Sequence, residues 1–169
     1  MKKFFMVSAA LLSLVVLAAG LLACDALMGS ETYTAEEGFS ITMSKGFYKK
    51  DMIAFTAYWE SSYAIVTTLK ENFSDLGALG IGASATLGEY MQVIITVNNY
   101  TGKEIQNSAD GKFVYFTYEA TVSGRDYFYL ATAAKGSDSF WLTNFACETK
   151  NKDKYQEKFL SWAATIEVN

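Results

Sequence analysis

Apolar and polar residues alternate along several short segments of the chain, as they do in strands with one buried face. The alternation is clearest over residues 39–44 and recurs over 53–59 and 63–69. From Lys103 onward the chain predicts further strands, separated by turns that each contain a glycine, at 109–112, 123–124 and 135–137. We therefore expect a meander of antiparallel strands.

Two segments have helical spacing instead. Thr86 and Glu89 form a capping-box pattern, and an apolar stripe follows it at Leu87, Tyr90, Met91, Ile94 and Val97. The β-branched run at 93–97 favours a strand by propensity, but we interpret this segment as a helix. A second helix is predicted over about 152–164, with one apolar face formed by Tyr155, Phe159, Trp162, Ala163 and Ile166. The glycine-rich residues 74–85 are predicted to form a loop with one short helical turn.

The register of one hairpin can be inferred from its turn. If Ser123-Gly124 is a two-residue loop, Val122 pairs with Arg125. One face of the hairpin then carries Val114, Phe116, Tyr118, Ala120, Val122, Tyr127, Tyr129, Ala131 and Ala133, and the other carries Phe113, Tyr115, Thr117, Phe128 and Leu130. Both faces hold large apolar groups, so we expect the sheet to be covered on both sides.

The N-terminus has the features of a targeting segment. Lys2 and Lys3 precede an apolar run over 4–23, and Leu21-Leu22-Ala23-Cys24 resembles the lipobox of bacterial lipoproteins. The resemblance implies that residues 1–23 are removed as a signal peptide and that Cys24 carries a diacylglyceryl group. The expected organisation is a lipidated Cys24 with a short tether over 24–32 and a domain over 33–168, anchored to an extracytoplasmic bacterial membrane. The alternative is an uncleaved membrane anchor with an incidental cysteine.

Charge and composition narrow the classes of function. The chain has 14 basic and 18 acidic residues, and removal of 1–23 takes two lysines and no acid, which leaves a net charge of −6. Such a chain is not expected to bind nucleic acid. It has no histidine, which excludes Ser-His-Asp triads, Cys-His dyads and histidine zinc sites. Cys147 is the one thiol besides Cys24, and we interpret it as a small core residue. We predict no catalytic residue, no metal site and no cofactor.

Aromatic residues supply the candidate binding surface. The chain contains 11 Tyr, 3 Trp and 12 Phe. Several of them fall on neighbouring strands, namely Tyr115, Tyr118, Tyr127, Tyr129 and Trp141. Tyrosine and tryptophan combine a large contact area with a polar tip and are enriched in binding surfaces. The alternative is that these side chains complete a core that lies on both sides of the sheet.

Several segments together resemble PsbP-like domains, a family whose fold is shared with a Ran-binding nuclear import factor. They are the 38–41 strand with Gly46-Phe47, the 67–71 strand leading to Thr86–Tyr90, and Phe140-Trp141 followed by the 155–162 helix. The resemblance implies a single-domain α+β fold, an α/β/α sandwich around an antiparallel sheet, and carries over no active-site residue. We expect a non-catalytic binding or adaptor module for another envelope protein. The alternative is a small-ligand binder, or a histidine-free hydrolase with a carboxylate, tyrosine and lysine site.

Overall fold

A computed structural model describes residues 29–169, and the expected signal peptide and Cys24 lie outside them. Within the described residues the chain forms ten strands and three α-helices, numbered here in chain order. The strands are β1 Ser30–Ala35, β2 Phe39–Ser44, β3 Tyr48–Lys50, β4 Ala57–Glu60, β5 Ile65–Asn72, β6 Gln106–Asn107, β7 Val114–Val122, β8 Arg125–Lys135, β9 Ser139–Glu148 and β10 Glu167–Val168. The helices are α1 Phe73–Leu76, α2 Leu87–Val97 and α3 Lys152–Ala163.

Seven strands form one antiparallel sheet in the order β3-β4-β5-β9-β8-β7-β6. One face packs against α2, and the other packs against α3 and a small antiparallel sheet of β1, β2 and β10. The predicted sandwich with two covered faces is therefore confirmed, with the three-stranded sheet as an addition. No helix within 29–169 is long and apolar enough to span a bilayer.

The β7–β8 hairpin has the predicted register. Val122 pairs with Arg125, and Ser123 and Gly124 have φ angles of 50° and 76°. Positive φ at both loop residues is typical of the type I′ turn, whose twist matches that of the flanking strands. This turn places Tyr118 opposite Tyr129 on the α2 face of the sheet.

Replacing Gly124 with alanine is expected to lower the free energy of unfolding by about 1–2 kcal/mol, because a Cβ atom is disfavoured at positive φ. Nothing lies within 4 Å of a Cβ atom built at Gly124, so conformation alone sets the cost. Gly82→Ala is the matched control, since Gly82 also has open space around it but lacks a positive φ. Urea unfolding measures both variants, and equal effects would contradict the expectation.

Both predicted helices are confirmed. Thr86 Oγ1 accepts from the Glu89 amide at 3.2 Å, and the Glu89 carboxylate accepts from the Thr86 amide at 2.7 Å, which completes the capping box. Helix α2 buries Ile95 instead of Val97, which lies in its last turn and is 41% exposed. The difference arises because Ile95 is one turn after Met91 and so shares its face. Helix α3 buries Tyr155, Phe159, Trp162 and Ala163, whereas Ile166 follows the helix.

The strand expected over 53–59 is wrong in its first half. The chain turns at 53–55, where the Phe55 amide donates to the Met52 carbonyl oxygen, and Ile53 is fully exposed. This turn joins β4 to the short edge strand β3, which the alternation did not predict. Similarly, Tyr63 lies before β5, because the Ser61 hydroxyl accepts from the Ala64 amide at 3.1 Å and forms a turn.

Two other boundaries are refined by the structure. Strand β1 begins at Ser30, so residues 30–32 of the expected tether belong to the small sheet. The glycine-rich loop at 74–85 contains the end of α1 and a 3₁₀ turn at Gly77–Leu79. The expected short helical structure in this loop is therefore present.

Candidate binding site: an aromatic groove

Three of the five candidate aromatic residues lie together on the α2 face. Tyr118 of β7 and Tyr129 of β8 are directly paired, and their rings stack at a centroid distance of 4.7 Å and an interplanar angle of 4°. Tyr127 lies on the same face, with its ring 6.2 Å from that of Tyr129. These three tyrosines therefore form one cluster of aromatic side chains on two neighbouring strands.

The other two candidates lie on the opposite face. Tyr115 packs against the α3 side of the sheet, and its hydroxyl donates to Gln106 Oε1 at 2.6 Å. Trp141 is completely buried there and lies 5.3 Å from the ring of Phe39. Trp141 is thus part of the core and not of an accessible surface, as the alternative interpretation of the aromatic residues expected.

Helix α2 covers only part of its face of the sheet and leaves a half-open groove beside it, which we call the aromatic groove. Its floor is formed by Tyr58, Tyr118, Tyr129 and Ala146, and Phe55 and Tyr100 line its sides. Sequence explains the open space, since Ala146 pairs with Tyr129 on one side and Ile65 on the other. The small side chain of Ala146 leaves space beside the rings, of which those of Tyr58 and Tyr118 are buried and that of Tyr129 is part-exposed.

Tyr100 is placed in the groove by the end of α2. Asn99 adopts a φ of 57°, its amide donates to the Thr96 carbonyl oxygen at 3.2 Å, and the Tyr100 amide donates to that of Ile95 at 2.9 Å. These bonds form a Schellman motif, which reverses the chain after a helix. The Tyr100 ring then stacks on Tyr118 at 4.4 Å.

The hydroxyl groups of the groove remain protonated donors at physiological pH. Burial raises the pKa of Tyr129 to about 12 and that of Tyr118 well above its usual value. Burial, together with the charge of Glu60, also raises the pKa of Tyr58, whose hydroxyl donates to the Glu60 carboxylate at 3.2 Å. Glu60 forms a salt bridge with Lys50. The groove is therefore an uncharged, mostly apolar surface on an acidic protein.

Sequence reasoning missed Phe55, Tyr58 and Tyr100. Tyr58 faces the groove because Ala57 and Trp59, its neighbours in β4, pack into the core on the α3 side of the sheet. The alternation over 53–59 already placed Tyr58 on the face opposite to theirs. Tyr100 follows Asn98-Asn99, and an apolar residue after such a helix end is typical of a Schellman motif. Only the tertiary structure shows that these positions meet Tyr118 and Tyr129.

The potentially reactive side chains of Cys147, Lys150 and Lys152 are buried in the core or form ion pairs. Cys147 is buried, and desolvation raises the pKa of its thiol to about 12, which agrees with its interpretation as a core residue. Lys152 donates to Glu119 at 3.1 Å, and Lys150 forms a salt bridge with Glu148. No group of three potential metal-ligating His, Cys, Asp or Glu residues occurs within 29–169.

No family model and no curated protein sequence matches the chain. Solved structures do match it. The solution structure of cyanobacterial PsbP (CyanoP) from Synechocystis sp. PCC 6803 has 12% identity and a TM-score of 0.56, over 90% of this chain and 98% of that one. The Ran-binding protein Mog1p of Saccharomyces cerevisiae has 6% identity and a TM-score of 0.58, over 83% and 96%. A protein from Bacteroides thetaiotaomicron VPI-5482 has 12% identity and a TM-score of 0.50, over 78% and 45%.

At these identities the similarity shows the fold alone. The chain has a single-domain α+β fold of the PsbP-like kind. The fold expected from the sequence is thereby confirmed.

Proposed function

We propose that this protein is a non-catalytic binding module, held at the extracytoplasmic face of a bacterial membrane by a diacylglyceryl group on Cys24. It engages another protein of the cell envelope through the aromatic groove. The observation that carries this proposal is the half-open groove at the stacked pair Tyr118–Tyr129, in which Tyr118 is buried and Tyr129 is part-exposed.

A protein partner fits the surroundings of the groove. Ile53 is fully exposed and lies two residues before Phe55, and Val97 is exposed immediately before Asn98, which lines the groove. Exposed apolar residues thus lie close in sequence to two residues that line the groove, Phe55 and Asn98. Binding surfaces of proteins typically have such an aromatic centre, in which a few residues supply most of the affinity. Because the groove is uncharged, the segment it accepts is apolar or aromatic and not ionic.

The membrane anchor is proposed from the sequence. The positive residues, the apolar run and Cys24 occur in the order of a lipoprotein signal. Two acyl chains hold a protein stably at a membrane, whereas one gives marginal binding. An anchored domain meets envelope partners in the plane of the membrane, which suits an adaptor.

The fold neighbours are compatible with protein binding. Mog1p is described as Ran-binding, so one protein of this fold recognises another protein. We extend only the general mode, binding of a protein by a PsbP-like domain, to the present chain.

Binding is favoured over hydrolysis by the chemistry of the groove. The described side chains that line it include tyrosines, Asn98, Asn144 and Thr67 but neither a carboxylate nor a lysine. Tyrosines with raised pKa values are poor general bases near neutral pH. A small apolar ligand would use the same surface and is one outcome of the test below.

The test combines crosslinking in cells with binding of the purified partner. A photoreactive amino acid at Ile53 or Val97 should crosslink one and the same envelope protein, while the same group at Lys112, remote from the groove, should not. The purified partner should lose about tenfold or more in affinity for Tyr129→Ala. Tyr115→Ala is the matched control, because Tyr115 lies on the opposite face of the same hairpin.

Two outcomes would contradict the protein-binding proposal. One is equal crosslinking from Lys112, and the other is an affinity that Tyr129→Ala leaves unchanged. A small molecule that copurifies with the wild type and is lost in Tyr129→Ala, without any crosslinked protein, would assign the groove to a ligand instead.

A further inference from the structure

We infer that one end of the domain rests on the headgroups of anionic phospholipids, with Lys45 and Lys154 in contact with them. This end is formed by residues 45–47, 61–64, 123–124 and 149–154, the last range including the first turn of α3, and we call it the tether end. The inference rests on the proposed membrane anchoring but not on the binding partner of the groove.

The chain enters the domain at the tether end. The carbonyl oxygen of Gly29, the first described residue, accepts from the Lys45 amide at 2.9 Å. Lys45 lies shortly before β3, whose first residue, Tyr48, pairs with Glu60 at the end of β4. The end of β9 lies at the same edge, because Ala146 pairs with Ile65 at the start of β5. Helix α3 also begins at this edge, since it follows β9.

The tether is too short to hold this end far from a bilayer. Five residue steps separate Cys24 from Gly29. A fully extended chain spans at most about 3.6 Å per residue, so Gly29 lies within about 18 Å of the anchored residue. An uncleaved apolar segment ending at residue 23 would impose the same limit. Either form of anchor therefore brings the tether end to the membrane surface.

Exposed lysines surround the point of entry. Lys45 is exposed, and Lys154 is exposed with its ammonium group 4.9 Å from the centre of the Tyr155 ring. Tyr155 stacks on Tyr63 at 5.1 Å, and Tyr63 contacts Phe47 at 5.8 Å. A continuous set of aromatic rings thus connects the α3 lysine to the segment that carries Lys45. Asp153 and Glu157 are interleaved on α3, so the lysines supply local and not overall positive charge.

The acidic residues at the opposite end favour the same orientation. Glu36 and Glu37 lie in the turn before Gly38, whose carbonyl oxygen accepts from the Asn169 amide at 3.1 Å. Asn169 also lies against Gly136. Gly136 belongs to the β8–β9 turn, which lies at the end of the sheet remote from Glu148. A chain of net charge −6 is repelled by an anionic surface. The repulsion is least when these glutamates point away from the bilayer and the lysines point towards it.

The experiment measures how fast each lysine reacts with an amine-reactive ester. The full chain is expressed in a bacterial host, purified from the membrane fraction and reconstituted into phosphatidylcholine vesicles with or without phosphatidylglycerol. Lys45 and Lys154 should react about fivefold more slowly on the vesicles that contain phosphatidylglycerol, since a basic residue close to an anionic surface is held there. Lys112, in the turn before β7 at the remote end, is the control and should react equally on both.

The outcomes separate the two proposals. A membrane-bound chain whose Lys45 and Lys154 react equally on both kinds of vesicle would overturn the inference and leave the anchoring intact. Slower reaction at Lys112 than at Lys154 would overturn it as well, because the orientation would be reversed. Recovery of the chain only in the soluble fraction would overturn the anchoring together with the inference.

Discussion

Replacing Trp141 with alanine is expected to lower the free energy of unfolding by about 3–5 kcal/mol. The indole is completely buried near the start of β9, between Phe39 and the side chain of Lys70, whose ammonium lies 5.8 Å from the ring centre. Strand β9 is paired on both sides, with β5 and β8, so the backbone has little freedom to close the cavity. Urea unfolding followed by far-UV circular dichroism measures the loss without relying on tryptophan fluorescence.

Ile53→Ala is the control for this substitution. Ile53 is fully exposed, so its truncation should change the free energy of unfolding by less than about 0.5 kcal/mol. A loss below about 1 kcal/mol for Trp141→Ala would contradict a buried position for the indole. Because Trp141 lies under the face opposite to the aromatic groove, reduced partner binding by this variant would reflect unfolding and not a lost contact.

The contrast between Tyr129 and Trp141 shows what the sequence can predict about the candidate site. The two-residue loop at Ser123-Gly124 determines the register of β7 and β8, and therefore places Tyr118 and Tyr129 on one face. A turn was also predicted at 135–137, but its residues do not specify the register: the Gly136 amide donates to the Ser139 carbonyl oxygen at 2.9 Å across Ser137 and Asp138. The face of Trp141 follows from that register and from pairing with β5, which is distant in sequence.

Local signals likewise predicted α2 and α3 but not the length of β4. A capping box and a helical apolar stripe act within a few residues, so the sequence displays them directly. The alternation over 53–59 does not form one continuous strand, because Ile53 is not paired with a neighbouring strand. Pairing of β4 with β3 depends on the irregular turn that joins them. The groove depends on several such long-range pairings. The sequence therefore indicated Tyr118 and Tyr129 but not Phe55 and Tyr100, which line the sides of the groove.

The proposed orientation and the proposed binding site support each other. Tyr129 pairs with Ala146, which lies two residues before the end of β9, so the floor of the groove is close to the tether end. With the tether end on the bilayer, the α2 face of the sheet is roughly perpendicular to the membrane plane. The groove then opens parallel to that plane, close to the membrane surface. The proposed partner would then be an envelope protein that presents an apolar segment near the bilayer.

Replacing Tyr90 with phenylalanine is expected to lower the free energy of unfolding by about 1–3 kcal/mol near pH 7. The Tyr90 hydroxyl is buried under α2 and donates to the carboxylate of Glu71 in β5. Its ring stacks on Phe140 at 4.3 Å, and phenylalanine would keep this contact. The variant therefore removes only the hydrogen bond and leaves a part-buried carboxylate without that donor. Tyr48→Phe is the matched control, since Tyr48 is 73% exposed and its substitution should have almost no effect.

The loss should depend on pH with a defined sign. Burial raises the pKa of Glu71 above its usual 4.5, and the bond from Tyr90 opposes this rise. A carboxyl group with a raised pKa in the folded state stabilises the fold at low pH, and this contribution is lost as the pH rises through that pKa. Tyr90→Phe removes the opposing bond and raises the pKa of Glu71 further. The variant should therefore lose more stability near pH 7 than below about pH 4.5, where Glu71 is protonated in both proteins.

Urea unfolding of both proteins at the two pH values tests this sign, and Glu71→Gln tests its origin. Glutamine carries no charge at either pH, so in the Glu71→Gln background the loss caused by Tyr90→Phe should no longer vary with pH. An equal loss at both pH values in the native background would contradict the expectation, because it would show that the Tyr90 hydroxyl does not shift the pKa of Glu71. A larger loss at the lower pH would reverse the sign and show that Tyr90 favours the protonated form of Glu71 over its carboxylate.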